Sequence, residues 1–258
     1  MGDIWNLFIQ VFINVLLTIY NVVGQNFGVA IILFTILIRI VTWPLNAQQL
    51  KGAKAMQDLQ NDKDWQAIQK KYAKDKEKLA SEQMRIYREK GINPFGSCLP
   101  TLIQFPIIIA LYQSIIRALG ATPLDLLKLS RSIIFPFLNV SDLIPLHSNF
   151  LWMNLGQPES VLIPGLGFGI PTLAIIVAAT TYIQSKLTLP PSTNPNDQSA
   201  AMGQSMALTM PLMLGWFALT FPSGLAVYFI TSNVLGIIQY AAQGKANWRN
   251  LLPKSMNK

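Results

Sequence analysis

Arg39 makes the clearest chemical demand in this chain, because it stands inside an apolar run, GVAIILFTILIRIVTWPL, at residues 28–45. A cation at the middle of a membrane helix costs about 2.5–3.5 kcal/mol on insertion scales, so such a residue is kept for a partner or a water-filled cavity. Thr35, Arg39 and Thr42 follow at i, i+4 and i+7 and share one helix face. A cation flanked by hydroxyls is suited to holding an acidic or polar group. The other reading is that Arg39 snorkels to the nearer interface, since few residues separate it from Pro44.

No comparable set of residues points to catalysis. His147 is the sole histidine, and a lone loop histidine is usually solvated. Cys98 is the sole cysteine, which excludes an internal disulfide and any thiolate cluster. Ser232 sits in an apolar stretch with no histidine or aspartate nearby, and no GxxxxGK[ST] phosphate loop occurs. The expectation is a protein that is not an enzyme, with no metal and no cofactor.

The elements that must position Arg39 are membrane helices. Of 258 residues, 51% are hydrophobic and only 12% are charged, against about 25% in soluble domains. By count, eleven of the twenty Lys and Arg lie from Lys51 to Lys90, and Lys245, Arg249, Lys254 and Lys258 close the chain. That clustering reads as positive-inside topology before it reads as nucleic-acid binding, and no DNA partner is expected.

In chain order, residues 1–25 hold an apolar segment with a polar stripe, Asn6, Gln10, Asn14, Thr18 and Asn21. It either lies in the interface or spans with a polar seam, and the interfacial helix is favoured. The first span covers 26–46. Residues 47–91 are proline-free and rich in helix formers, which predicts two helices folded back near Lys74–Asp75 and stopped by Gly91. This hairpin is either a solvated connector or a docking arm whose basic residues meet lipid headgroups, nascent chains or a ribosome. Its candidate contacts are Lys51, Lys54, Lys70, Lys71, Lys74, Arg85 and Arg88. The second span covers 92–119, with Gln104 and Pro106 inside it. A loop at 120–163 follows, in which FLWMNL (150–155) reads as an interfacial aromatic anchor. Spans three to five fill 164–243, and a basic tail covers 244–258. Thr172, Thr180 and Gln184 share a face of the third span, and Met202, Met206, Met210 and Met213 stripe the fourth. The fifth is unusually polar, with Tyr228, Thr231, Ser232, Asn233 and Gln239. The fold class is therefore an all-α integral membrane protein, a five-span helical bundle.

Three stretches, ILIRIVTWPLNAQQ (36–49), INPFGSCLPTLIQFPIIIALY (92–112) and FPSGLAVYFITSNVLGIIQ (221–239), are similar in content and order to the YidC family of membrane protein insertases. The resemblance covers nearly the whole chain. It implies an extracytosolic N-terminus with an interfacial helix, a cytosolic C-terminus in a bacterial cell membrane, and a hydrophilic groove open to cytosol and lipid. It also implies a short form of the family, without the large periplasmic domain. The family's groove arginine matches Arg39, with Thr35 one turn before it, and the groove is expected to take in Gln184, Tyr228, Phe229 and Ser232. Phe229 stands where several relatives carry Tyr or Trp, and Ile108 where some carry a substrate-touching Phe. Implied partners are nascent membrane proteins, membrane lipids and the ribosome, with the Sec translocon and the signal recognition particle pathway as further candidates. The implied activity is insertion of polar or acidic client segments and release of their apolar helices into lipid. The alternative is a small membrane transporter or anion channel, although no internal repeat supports it.

Overall fold

The structure is a computed structural model that describes residues 2–60, 62–72, 75–92, 99–120, 122–136, 138, 143, 146–162, 169–188 and 198–243, some helical residues by backbone alone. The basic tail, the loop 189–197, Lys74 and Cys98 lie outside the described residues.

Asn26 starts the helix that carries Arg39. Its side chain accepts from Val29 N at 3.1 Å, an N-cap that opens α2 at Phe27–Val41. Before it comes α1, Gly2–Val22, and after it α3, Trp43–Gln60, separated from α2 by Thr42 alone. Pro44 therefore does not end the apolar helix. It sits in the first turn of α3, where its missing N–H leaves no bond unmade.

The charged region contains three helices rather than the expected two: α3, α4 at Lys63–Lys71 and α5 at Lys76–Glu89. An additional helix start falls at Asp62, which caps α4 by accepting from Asp64 N and Trp65 N. Asp75 caps α5 by accepting from Lys78 N. Gly91, at φ +64°, ends α5 in a Schellman turn: Ile92 N bonds Tyr87 O at 2.8 Å and Gly91 N bonds Arg88 O at 3.2 Å. Leu59, Trp65 and Ile86 form a small core of their own, flanked by Ile68, Tyr87 and Ile92.

The remaining helices are α6 (Leu99–Ala118), α7 (Pro123–Ser132), α8 (Thr172–Thr188), α9 (Gln198–Thr220) and α10 (Ser223–Ala242). α10 packs along α8 and α2, α9 packs chiefly on α8, and α1 packs on α2 and α6. Their shared core includes Ile13, Leu16, Phe27, Ile31, Leu111, Ile115, Val177, Leu225 and Tyr228. The exterior is apolar as well: Leu208, Leu212 and Trp216 on α9, Ile175 on α8, Phe105 on α6 and Ile40 on α2 are each more than half exposed. A bundle apolar inside and out suits lipid as its solvent. Among the described residues, Ile4–Val22 and Ser223–Ala242 are each long and apolar enough to cross a bilayer, and Phe27–Val41 and Ala207–Thr220 are shorter apolar helices.

Two small antiparallel hairpins join α7 to α8. Asn149–Phe150 (β1) pairs with Met153–Asn154 (β2), and Val161–Leu162 (β3) with Gly169–Ile170 (β4). The FLWMNL segment thus forms the tip and second strand of a hairpin. Leu151 and Trp152 are exposed, while Met153 and Leu155 are buried and Phe150 packs onto Gly28.

Candidate site in the polar seam between α2, α8 and α10

Arg39 crosses from α2 to α10. Its Nε donates to Ser232 Oγ at 3.1 Å, and its Nη2 donates to the same Oγ at 2.8 Å and to Ser232 O at 2.5 Å. These partners are neutral. Among the described residues every ion pair lies between Asp62 and Lys90, so the guanidinium keeps its full charge with no carboxylate beside it. One α-helical turn along α10, Gly236 makes room for this arrangement. A methyl group there would lie 2.6 Å from Gln184 Nε2 and 3.4 Å from Arg39 Nη2. The missing side chain brings the Gln184 amide of α8 and the guanidinium of α2 against the same point of α10.

Further hydrogen bonds tie the seam to α8 and to α6. Asn233 Nδ2 donates to Thr181 Oγ1 at 2.8 Å and to Thr180 Oγ1 at 3.1 Å, tying α10 to α8. Gln104 of α6 donates to the hydroxyl of Tyr228. Phe229 stacks edge-on against Tyr228, 5.6 Å between centroids, and packs on the main core. Five of the six groove candidates, Arg39, Gln184, Tyr228, Phe229 and Ser232, therefore meet at α10 or on it. Thr35 is placed differently. It is fully buried and its hydroxyl donates to Ile31 O at 2.6 Å, within its own helix. Thr42 likewise donates to Ile38 O at 2.8 Å. Helix spacing alone gives all three residues one face but does not show that both hydroxyls are spent on the backbone one turn back. Thr181 and Gly236 were not singled out from the sequence. A glycine inside an otherwise bulky span facing a polar neighbour helix was the available signal.

At the other end of the bundle a cap is fastened to α10. Ser223 N donates to Gln157 O at 2.8 Å, Gly224 N to Leu155 O at 3.0 Å and Ser223 Oγ to Asn154 O at 2.7 Å, fastening the β1–β2 hairpin over the start of α10. Glu159 receives Thr172 Oγ1 at 2.7 Å, Leu173 N at 3.0 Å and Trp152 Nε1 at 3.1 Å. Its carboxylate sits at the N-terminus of α8, where the helix dipole favours negative charge.

The basic hairpin presents Lys51, Lys70, Lys71 and Arg88 as exposed side chains, and Lys71 lies over the Tyr72 ring at 5.2 Å. Lys54 is described by backbone alone. Arg85 is committed within α5, to Glu82 at 2.8 Å and Glu89 at 2.7 Å, which hold its pKa above the ordinary value. Asp62 takes a hydrogen bond from Lys90, and that ammonium, followed by the N–H of Asp64, draws its carboxyl below the usual range.

This arrangement can be set beside known proteins. The family profile described as "60Kd inner membrane protein" matches residues 18–247. This chain belongs to that family. Among its relatives, the protein named membrane protein insertase YidC of Oceanobacillus iheyensis is 34% identical over 92% of this chain and 82% of its own length. The YidC of Fusobacterium nucleatum is 34% identical over 93% and 96%, and the insertase MisCA of Bacillus subtilis 32% identical over 91% and 77%. The crystal structure of an active YidC insertase, with its first transmembrane domain resolved, superposes with a TM-score of 0.55 at 26% identity. It covers 91% of this chain, and the chain spans 45% of that structure's chain. The chain is a helical membrane protein of the YidC insertase family.

Proposed function

We propose that this chain is a membrane protein insertase in which the seam between α2, α8 and α10 receives polar or acidic segments of client proteins. The observation that carries the reading is Arg39: a cation in a bundle of apolar helices, hydrogen-bonded among the described residues to the hydroxyl and carbonyl of Ser232. Neutral partners position the guanidinium without cancelling its charge, so a client carboxylate gains the whole attraction in a medium less polar than water. The client's apolar helix then leaves sideways into lipid, driven by burial of about 25 cal/mol per Å². That step asks for no nucleotide.

In this reading α2, α6, α8, α9 and α10 are the five spans, with the hairpin α3–α5 in the cytosol and residues 120–163 outside. α1 lies along the outer interface. In support, it is hydrogen-bonded to the outer segment at two levels: Asn14 Nδ2 donates to Ser132 O, and Tyr20 Oη accepts from His147 N. A helix crossing the bilayer would meet that segment at one end. The cap over α10 closes the seam to the outside, and the exposed lysines of the hairpin meet incoming clients, lipid headgroups or ribosomal phosphates. The Sec translocon and the signal recognition particle pathway are candidate partners on the same cytosolic side.

The test is insertion of a single-span client with an acidic N-tail into liposomes that contain only this protein, with ion conductance recorded alongside. Arg39→Ala should abolish most protection of the tail and Arg39→Lys should keep part of it, because charge outweighs fork geometry here. Full-rate insertion by Arg39→Ala would overturn the role of the seam. Steady conductance without client protection would favour a channel or transporter.

A further inference from the structure

On the side of the molecule away from the hairpin, α6, α7 and the β1–β2 hairpin enclose an open cleft of about 780 Å³. Three cations line it: Arg117 on α6, and Lys128 and Arg131 on α7. The carboxylate among its lining residues, Asp125, is already engaged. It accepts from Thr122 Oγ1 at 2.5 Å, and Thr122 in turn accepts from Asp125 N, a reciprocal cap on α7. Among the described residues no ion pair involves any of the three cations. The cleft therefore carries net positive charge, with Ser148, Asn154 and Gln157 as polar neighbours.

The surface beside the cleft is apolar. Leu124 is 59% exposed, Leu127 48% and Ile116 43%. Leu124 and Lys128 are four residues apart on α7, as are Leu127 and Arg131, so each exposed leucine shares a face with a cation one turn on. Leu129 meanwhile anchors the helix in the core. Cations alone would suit any anion. Cations with exposed leucines on one short helix fit a ligand that is charged at one end and apolar at the other.

We propose that this cleft binds the phosphate of an anionic phospholipid headgroup, with the acyl chains lying against Leu124, Leu127 and Ile116. The topology proposed above would place this cleft at the outer leaflet. Binding at the cleft does not rest on that topology. The probe is phosphatidylglycerol carrying a photoreactive diazirine, in phosphatidylcholine nanodiscs around the full chain, where both leaflets are accessible. Adducts are mapped by peptide mass spectrometry. Adducts should fall on residues 116–132 and be displaced by unlabelled phosphatidylglycerol but not by phosphatidylcholine, inorganic phosphate or a soluble aspartate-rich peptide. The triple variant Arg117→Gln, Lys128→Gln, Arg131→Gln should lose at least about tenfold of that signal, since each surface cation contributes roughly fivefold. Adducts on residues 51–90 stay as the internal control for folding and lipid content. The double variant Lys128→Gln, Arg131→Gln, at exposed positions only, should lose several-fold if the triple variant fails to fold. Unchanged labelling in the double variant, or displacement by the peptide as effectively as by the lipid, would overturn the proposal. Sidedness is read separately, from labelling of Asn149→Cys in a Cys98→Ser background by an impermeant thiol reagent, so failure of the topology and failure of the site are told apart.

Discussion

Ser232 sets how Arg39 can act. Its hydroxyl takes two of the three hydrogen bonds from the guanidinium, and its carbonyl takes the third. Ser232→Ala removes the two and leaves the one, so the side chain keeps its charge and loses part of its orientation. Hydrogen bonds between membrane helices average about 0.6 kcal/mol and reach about 1.7, so this variant should lose roughly 1 kcal/mol of stability in detergent. Initial insertion rates for acidic-tailed clients should fall less than in Arg39→Ala. A loss equal to that of Arg39→Ala would mean that geometry, not charge, governs the seam. Arg39 and Ser232 were both legible in the sequence, because polar residues stand out in apolar runs. That they bond each other was not. The pair is 193 residues apart, and no periodicity within either helix fixes the rotation of one against the other.

At the scale of elements, the hairpin and the cap hold by different means. Two N-caps and a Schellman turn frame α4 and α5, and all three signals, Asp62, Asp75 and Gly91, are local in the sequence. Asp75 and Gly91 mark the start and the end of α5, while Asp62 is harder to read because helix formers continue on both sides of it. The buried pair Trp65 and Ile86 is equally hidden, since each stands in a charged stretch and gains meaning only when α4 meets α5. Asp62 ties this unit together through Lys90, and its lowered pKa fixes a sign. The ionised carboxylate is the form the folded hairpin prefers, so its contribution is complete above the ordinary value of about 3.9 and is lost as pH falls through the lower, folded value. Acidification below about pH 4 should therefore loosen residues 62–90 in hydrogen exchange, and Asp62→Asn should flatten that response while keeping an N-cap. The cap depends on close approach instead. A methyl group on Gly28 would sit 2.1 Å from the Phe150 ring. Gly28→Ala should cost about 1–3 kcal/mol by overpacking, and Phe150→Ala should recover part of that loss in the double variant, read from thermal melts.

At the scale of the whole molecule, the long-range hydrogen bonds fasten the end of the bundle that carries α7 and the β1–β2 hairpin, and the proposed topology makes that the outer end. Asn14 is the clearest case. Its Nδ2 donates to Gln10 O and Ser132 O, both at 2.8 Å, and its Oδ1 accepts from Ile134 N at 2.8 Å and Phe135 N at 3.1 Å. Both the donor and the acceptor end of the amide are used twice, in a fully buried position. The sequence shows Asn14 as one member of a polar stripe, and a stripe on an apolar helix reads as a face turned to water. Here its middle residue is a fastener turned inward, while Asn6 and Asn21 at the ends are exposed. Asn14→Ala should take a partner from Ser132 O and from Ile134 N, at about 1–3 kcal/mol for each group that stays buried, for a loss of roughly 2–4 kcal/mol. If α1 holds the outer segment in place, the same variant should open residues 132–147 to a protease added outside the vesicle. Residues 62–90, which share no hydrogen bond with Asn14, should be cut from the inner side at an unchanged rate. A uniform rise in cleavage on both sides would show that Asn14 supports the bundle as a whole and not its outer end, and the division between a closed face and a receiving face would have to rest on the β1–β2 cap alone.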